Sequence, residues 1–271
     1  MPNYICVTCG NQFGESEEPP LHCPICEDER QYVGYLGQTW TTVGEMEGEY
    51  RNGVRPLEPG LFEIGTEPKF GIGQRALLVQ GPGGNVLWDC VSHIDDATVE
   101  AIEALGGISA LGMSHPHMFG SMVEWSHAFG RVPIHLHSSY ERWVMRPDPV
   151  IKYWDGDSFK MDQGLSIHRC GGHFKGSSVL LWQEGAEGRG ALLSSDTMYV
   201  TADRRYVAFM YSYPNYTPLP VPAVEGVVEK VMPLKFDRIY SHFTHRQILT
   251  GGKNAVQGSL ERYRKAVISG L

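Results

Sequence analysis

Two cysteine pairs, Cys6-x-x-Cys9 and Cys23-x-x-Cys26, open the chain, with residues 10–22 between them. Each pair can clamp one side of a tetrahedral metal while the intervening chain forms a loop. Gly10 and Pro24 suit the tight turns that such ligands require. Structural zinc is the expected occupant, because zinc thiolates close a chain where too little core exists to hold it. Redox-active dithiols are the rival reading. His22 adjoins Cys23, but four thiolates already fill a tetrahedron and a surface place is expected for it. Cys90 and Cys170 lie in apolar, strand-like runs and read as small buried thiols.

A second set of candidate ligands is spread along the chain. Ser114-His115-Pro116-His117 follows a strand-like run and leads into a helix-like one. Alternate residues of an extended segment point to the same side, so two imidazoles at this spacing can share a metal. Pro116 biases His115 toward the extended region. Gly171-Gly172-His173-Phe174-Lys175-Gly176-Ser177 places a third histidine after another apolar run, between glycines that permit a sharp turn. Ser194-Ser195-Asp196-Thr197 ends a further strand in a lone carboxylate, and Asp237 to His242 ends another in a histidine. Four strand ends, each offering a ligand, suit one site along one edge of a sheet core.

In this order of motifs the chain resembles the metallo-β-lactamase superfamily across residues 61–271: a hairpin with Trp88-Asp89, then His-x-His, Gly-Gly-His-x-x-Gly-Ser, Ser-Asp-Thr and a late histidine. The resemblance implies an α/β fold, an αββα sandwich. It also implies that His115, His117 and His173 bind one zinc, with Asp196 close enough to bind or bridge. His242 would belong to a second metal position. One departure stands out. The family's first motif is H-x-H-x-D-H, and here its last two positions are Phe119 and Gly120. Either the site holds one zinc, which is the favoured reading, or His242, His245 or His127 rebuilds the second position.

The remaining histidines have plainer readings. His135 and His137 alternate along a strand, where packing or support of a ligand is expected rather than ligation. His127 is expected to be structural, and His93 and His168 ordinary. The aromatic run Phe209 to Tyr216 reads as core packing, with an apolar wall for a small hydrophobic substrate as the alternative.

These residues need elements to place them. Gln74 to Gln80 and Asn85 to Cys90 form a hairpin around Gly81-Pro82-Gly83-Gly84. An acid-capped helix runs to Leu105 and stops at Gly106-Gly107. Strand Ile108 to Met113, helix Met122 to Phe129 and strand Pro133 to His137 follow. Strands Leu165 to Cys170, Ser178 to Trp182 and Ala191 to Ser194 come next, then helix Val221 to Met232, strand Phe236 to Tyr240 and a last helix, Asn254 to Ile268. Two β-rich halves carrying helices imply layers of helix, sheet, sheet and helix. Residues 1–36 form the expected knuckle, 37–60 a connecting loop rich in Gly, Glu, Thr and Pro, and 61–271 the large domain.

Composition narrows the function. A formal charge of −8 over 271 residues disfavours a phosphate-backbone binder, whose affinity comes from clustered Lys and Arg; no nucleic-acid partner is expected. The apolar runs fall far short of the roughly 20 residues that span a bilayer, so no membrane partner is expected. Pro2, Asn3 and Tyr4 lead into a cysteine pair in place of a secretory leader's basic and apolar segments, and a cytoplasmic location is expected. Three histidines and an open position would let zinc acidify a water for attack on an electrophilic carbon, with Asp196 orienting that water or taking its proton. The expected function is a zinc-dependent hydrolase of a small molecule. Isothiocyanate hydrolases resemble this compact plan most, and lactone, thioester and glutathione-conjugate hydrolysis stay open. The alternative is a non-catalytic metal-binding module whose knuckle docks a protein or forms a homodimer contact.

Overall fold

The computed structural model describes residues 1–269, so Gly270 and Leu271, the end of the expected large domain, lie outside the described residues. The chain falls into two units, Met1–Trp154 and the residues from Asp155 onward.

In the first unit, β1 (Asn3–Cys6), β2 (Gln12–Glu15) and β3 (Trp40–Thr41) form a three-stranded antiparallel sheet in the order β2-β1-β3. The short helix α1 (Pro24–Glu27) carries Cys26, and Cys23 is its N-cap. After α2 (Val43–Met46), a long hairpin of β4 (Arg51–Glu58) and β5 (Leu61–Glu67) begins a seven-stranded sheet. It continues through β6 (Arg75–Val79), β7 (Val86–Trp88), β8 (Ala110–Gly112), β9 (Ile134–His137) and β10 (Ile151–Trp154), in spatial order β10-β9-β8-β7-β6-β5-β4. The β4 to β7 ladders are antiparallel, and those from β7 to β10 are parallel. Parallel neighbours need crossovers: α3 (Asp96–Glu103) lies in that from β7 to β8, α4 (Met122–Ala128) in that from β8 to β9, and a 3₁₀ segment, Ser138–Trp143, in that from β9 to β10. Asp95 caps α3 by accepting from Thr98 N at 2.7 Å.

Residues 37–60 are therefore not a connecting loop. They contain one strand of the knuckle sheet, a helical turn and the edge strand of the large sheet. The reason is that an edge strand needs little apolar alternation: β4, Arg51-Asn52-Gly53-Val54-Arg55-Pro56-Leu57-Glu58, is exposed or half-buried throughout, and Pro56 is tolerated at an edge.

The second unit holds a six-stranded sheet, β11 (Ser158–Asp162), β12 (Leu165–Arg169), β13 (Ser178–Trp182), β14 (Ala191–Leu193), β19 (Arg238–Tyr240) and β20 (Gln247–Ile248), in that spatial order. Two small ladders lie between β14 and β19 in the chain: β15 (Tyr199–Val200) with β16 (Val207–Ala208), and β17 (Met210–Ser212) with β18 (Thr217–Pro218). Helices α5 (Val221–Val231) and α6 (Gly252–Arg264) cover the sheet. In α5, Val224, Val227, Val228 and Val231 follow the i, i+3, i+4, i+7 pattern of one apolar face. All four are buried in a core with Val179, Leu181, Leu192 and Ile239, and each such burial stabilises by about 1.5–3 kcal/mol. No helix among the described residues is long and apolar enough to cross a membrane.

Candidate metal centres

The four N-terminal cysteines are buried to 1% exposure or less. Cys6 Sγ lies 3.5 Å from Cys26 Sγ, and Cys9 Sγ lies 3.6 Å from Cys23 Sγ. All four sulfurs fall within 4.8 Å of one another. A tetrahedron with Zn–S bonds of about 2.3 Å has edges of about 3.8 Å, so the donor set fits zinc. The knuckle turns are set by backbone bonds, Gly10 N to Cys6 O at 2.8 Å and Glu27 N to Cys23 O at 3.0 Å. Gln38 Nε2 donates to Cys6 Sγ at 2.8 Å and Asn11 Nδ2 to Cys9 Sγ at 3.6 Å. The neighbouring thiols of Cys23, Cys26 and Cys9 hold the Cys6 thiol far below its ordinary range, whereas burial pushes Cys9 far above it. A cation held by all four sulfurs would offset such buried charge. His22 is exposed, with Nδ1 2.6 Å from Glu27 Oε1.

The second centre is assembled from strand ends. His115 is extended, at φ −170° and ψ 167°, as Pro116 requires, but His117 sits in a single 3₁₀ turn, Pro116–Met118. The expected extended His-x-His is therefore a strand end followed by a turn. The proline that extends His115 also has the φ that starts a helical turn. The two rings still approach, with centroids 5.1 Å apart at 73°.

His115 is held from behind. Ser114 donates its backbone N–H to Asp89 Oδ1 and its hydroxyl to Asp89 Oδ2, both at 2.6 Å, and Ser114 Oγ is 2.9 Å from His115 Nδ1. Because the hydroxyl proton goes to the carboxylate, Oγ accepts from Nδ1–H, which makes Nε2 the nitrogen able to bind a metal. Tyr140 donates its hydroxyl to Ser114 O at 2.7 Å.

In the second unit, Gly171 and Gly172 adopt φ of +76° and +81°, the left-handed turn that presents His173. A Cβ on Gly172 would stand 3.0 Å from Val227 Cγ2. His173 Nδ1 is 3.0 Å from Met210 O, so this nitrogen carries the proton and Nε2 is again the nitrogen able to bind a metal. Asp196 follows β14 by way of Ser195, whose φ is +48°. Asp89, at φ +61°, is likewise a non-glycine residue in this costly region.

His115, His117, His173 and Asp196 are all buried, and each offers a ligand atom within 4.8 Å of those of the other three. Three imidazoles and a carboxylate are a donor set that suits zinc. His242 lies outside this group, buried just past β19. It leaves the sheet on the same side as Asp196, because β14 and β19 are parallel, with Leu193 opposite Tyr240 and Ser194 N donating to Tyr240 O at 2.8 Å.

The other histidines are placed elsewhere. His127 Nε2 is 3.0 Å from Asp148 Oδ2, and His93 Nε2 is 3.1 Å from Asp95 Oδ2. His137 Nδ1 accepts from Ser139 N at 3.2 Å, capping a 3₁₀ turn. His168 Nε2 is 2.8 Å from Ser166 Oγ, and His245 is exposed in the β19–β20 turn. Phe119 is buried against Tyr140 at 5.9 Å between ring centroids. Gly120 has φ +50°, and a Cβ there would stand 2.8 Å from Val91 O.

An aromatic cluster adjoins His173 and Asp196. Tyr213 is 5.6 Å from His173 and 5.1 Å from Tyr199, and Tyr199 is 5.4 Å from Phe243, between ring centroids. The Tyr213 hydroxyl donates to Asp196 O at 3.0 Å. Burial, then the Asp196 charge, pushes its phenol well above the ordinary range. Tyr199 and Phe243 escape a reading of the sequence because they come from separate turns with no shared spacing.

No protein-family model matches the chain. It is 48% identical over 273 residues to the uncharacterized protein YmaE of Bacillus subtilis (strain 168), covering 100% of this chain and 99% of YmaE. Among solved structures it is similar to the DIM-1 metallo-β-lactamase, with a TM-score of 0.57 and 11% identity over 79% of this chain and 98% of that one. A B3 metallo-β-lactamase with an active-site glutamic acid gives 0.53 at 18% identity, over 80% and 89%. A Cronobacter sakazakii metallo-β-lactamase with a HARLDQ motif gives 0.52 at 13%, over 79% and 92%. The chain thus has the metallo-β-lactamase fold and belongs to the same protein family as YmaE.

Proposed function

We propose that this protein is a zinc-dependent hydrolase of a small electrophilic substrate, with His115, His117 and His173 as zinc ligands and Asp196 completing or bridging the site. The observation that carries the reading is the convergence of these four buried ligand atoms within 4.8 Å. Zinc bound there would supply a water acidified to a pKa of about 7 and a Lewis acid for the attacked group. The protein's own contribution is orientation. Asp89 and Ser114 fix the His115 ring, and Met210 O fixes His173. Asp196 is the group suited to orient the attacking water and accept its proton, and Tyr213 holds the backbone of that residue.

Tyr199, Tyr213 and Phe243 offer an aromatic surface beside His173, which supports an isothiocyanate, lactone or thioester as the substrate class. His242, leaving the sheet beside Asp196, is the residue assigned in this reading to a second metal position. The four cysteines hold a further, structural zinc.

Metal analysis of the purified full chain and of His115→Ala, with a panel of isothiocyanates, lactones and thioesters, tests this. The variant should lose about one equivalent of zinc and at least about 100-fold in hydrolysis. Undiminished turnover in His115→Ala contradicts the assignment.

A further inference from the structure

The outer edge of β2 connects the cysteine centre to the histidine loop. Gln12 N donates to Gly120 O and Gly14 N donates to Met145 O, each at 3.0 Å. Alternate residues of a strand turn their backbone groups the same way, so these two bonds act as one clamp. Its near side is tied to the metal ligands: Cys6 N donates to Asn11 O at 3.0 Å, and Asn11 Nδ2 reaches Cys9 Sγ. On its far side, Gly120 lies three residues beyond His117. Arg146 Nη1 lies 2.5 Å from both Gln12 Oε1 and Glu124 Oε1, and Gln12 Nε2 donates to Glu124 Oε1 at 3.2 Å. Glu124 belongs to α4, the helix that the histidine loop enters. A second tie runs through Ser92, whose hydroxyl donates to Gly10 O at 2.7 Å and whose carbonyl accepts from Ser121 Oγ at 2.8 Å.

We propose that the four-cysteine knuckle is a positioning element for the His115–His117 loop, so that metal in the cysteine centre strengthens metal binding at the histidine centre. The inference rests on the assignment of His115 and His117 as metal ligands. Metal fixes the Cys6–Cys9 turn, the turn fixes the outer edge of β2, and the Gln12–Gly120 bond fixes the loop. A single 3₁₀ turn has few bonds of its own to do this: Met118 N to His115 O at 3.0 Å and Phe119 N to Pro116 O at 3.4 Å. Linkage makes the effect reciprocal, so metal at the histidines also tightens the knuckle.

Cobalt(II) loaded into the full-length protein reads the two centres separately. Thiolate-to-metal charge transfer reports the cysteines, and the weaker ligand-field bands of a nitrogen and oxygen site report the histidines. Competition with a chelator should show about tenfold weaker binding at the histidine centre in Gln12→Pro, which removes the backbone donor. In Gln12→Ala, which keeps the donor, binding should stay within about threefold of wild type. In Cys23→Ser the charge-transfer band should fall and histidine-centre affinity should fall with it. Arg146→Ala, which breaks only the side-chain bridge and leaves the Gln12–Gly120 backbone bond in place, should likewise stay within about threefold of wild type.

Histidine-centre affinity that is unchanged in both Gln12→Pro and Cys23→Ser, with circular dichroism showing a folded second unit, overturns the coupling. Wild-type protein that shows only the thiolate band overturns the ligand assignment itself, and the coupling with it.

Discussion

Ser114 spends both of its donors on Asp89, backbone N–H and hydroxyl each at 2.6 Å, and so turns its Oγ lone pair toward His115 Nδ1. The carboxylate acts on the imidazole through a hydroxyl. Removing it leaves the serine free to reverse its hydrogen bond and His115 free to present the wrong nitrogen. Asp89→Asn and Ser114→Ala should each weaken metal binding at the histidine centre by about 10–100-fold, measured by chelator competition, while the thiolate centre keeps its affinity. Equal losses at both centres would instead indicate general unfolding.

Placing Asp at residue 119 and His at residue 120 should harm this chain. Phe119 fills buried space beside Tyr140, and Gly120 lies too close to Val91 O for a side chain. Phe119→Asp with Gly120→His is expected to cost at least about 3 kcal/mol, read as a lowered urea midpoint. A double variant as stable as wild type, with an extra metal bound, would show that the loop has room after all.

His173→Ala should leave no metal at the histidine centre, because it deletes one of the four proposed ligands. His242→Ala should retain one, since His242 is outside that group. Zinc counted per chain, with the cysteine centre's zinc subtracted, separates the two outcomes. Equal loss in both variants would place His242 among the required ligands.

Burial, and then Lys152 opposite it in the β9–β10 ladder, lowers the pKa of His135. The folded protein therefore keeps this ring neutral at a pH where the unfolded chain, titrating near 6.5, has begun to take up a proton. The contribution to stability is fully present above about pH 6.5 and is lost as pH falls toward the lowered folded value. In Lys152→Ala the His135 resonance should titrate closer to 6.5 by NMR. The dependence of the urea midpoint on pH between 5 and 7 should flatten correspondingly. No movement of that resonance would remove Lys152 as a cause.

Much of this protein was legible in the residues alone. Two C-x-x-C pairs announce a tetrahedral centre because four soft ligands that close together have few other uses. β13, Ser178–Trp182, matches its sequence limits, and β8, α4, β9, β12, β14 and α5 fall within one or two residues of theirs, since apolar period and turn residues are local signals. His115, His117, His173 and Asp196 stood out by type and position at strand ends.

What the sequence by itself could not decide lies in contacts between distant segments. Edge strand β4 carries no apolar alternation, so only its pairing with β5 separates it from a loop. The Asp89–Ser114 support and the Gln12–Gly120 bond join residues far apart in the chain, and no spacing encodes them. Ligand identity is chemistry carried by single side chains, whereas ligand orientation depends on where other strands place their hydrogen-bonding groups. The first can be read along a line, and the second exists only once the chain has folded.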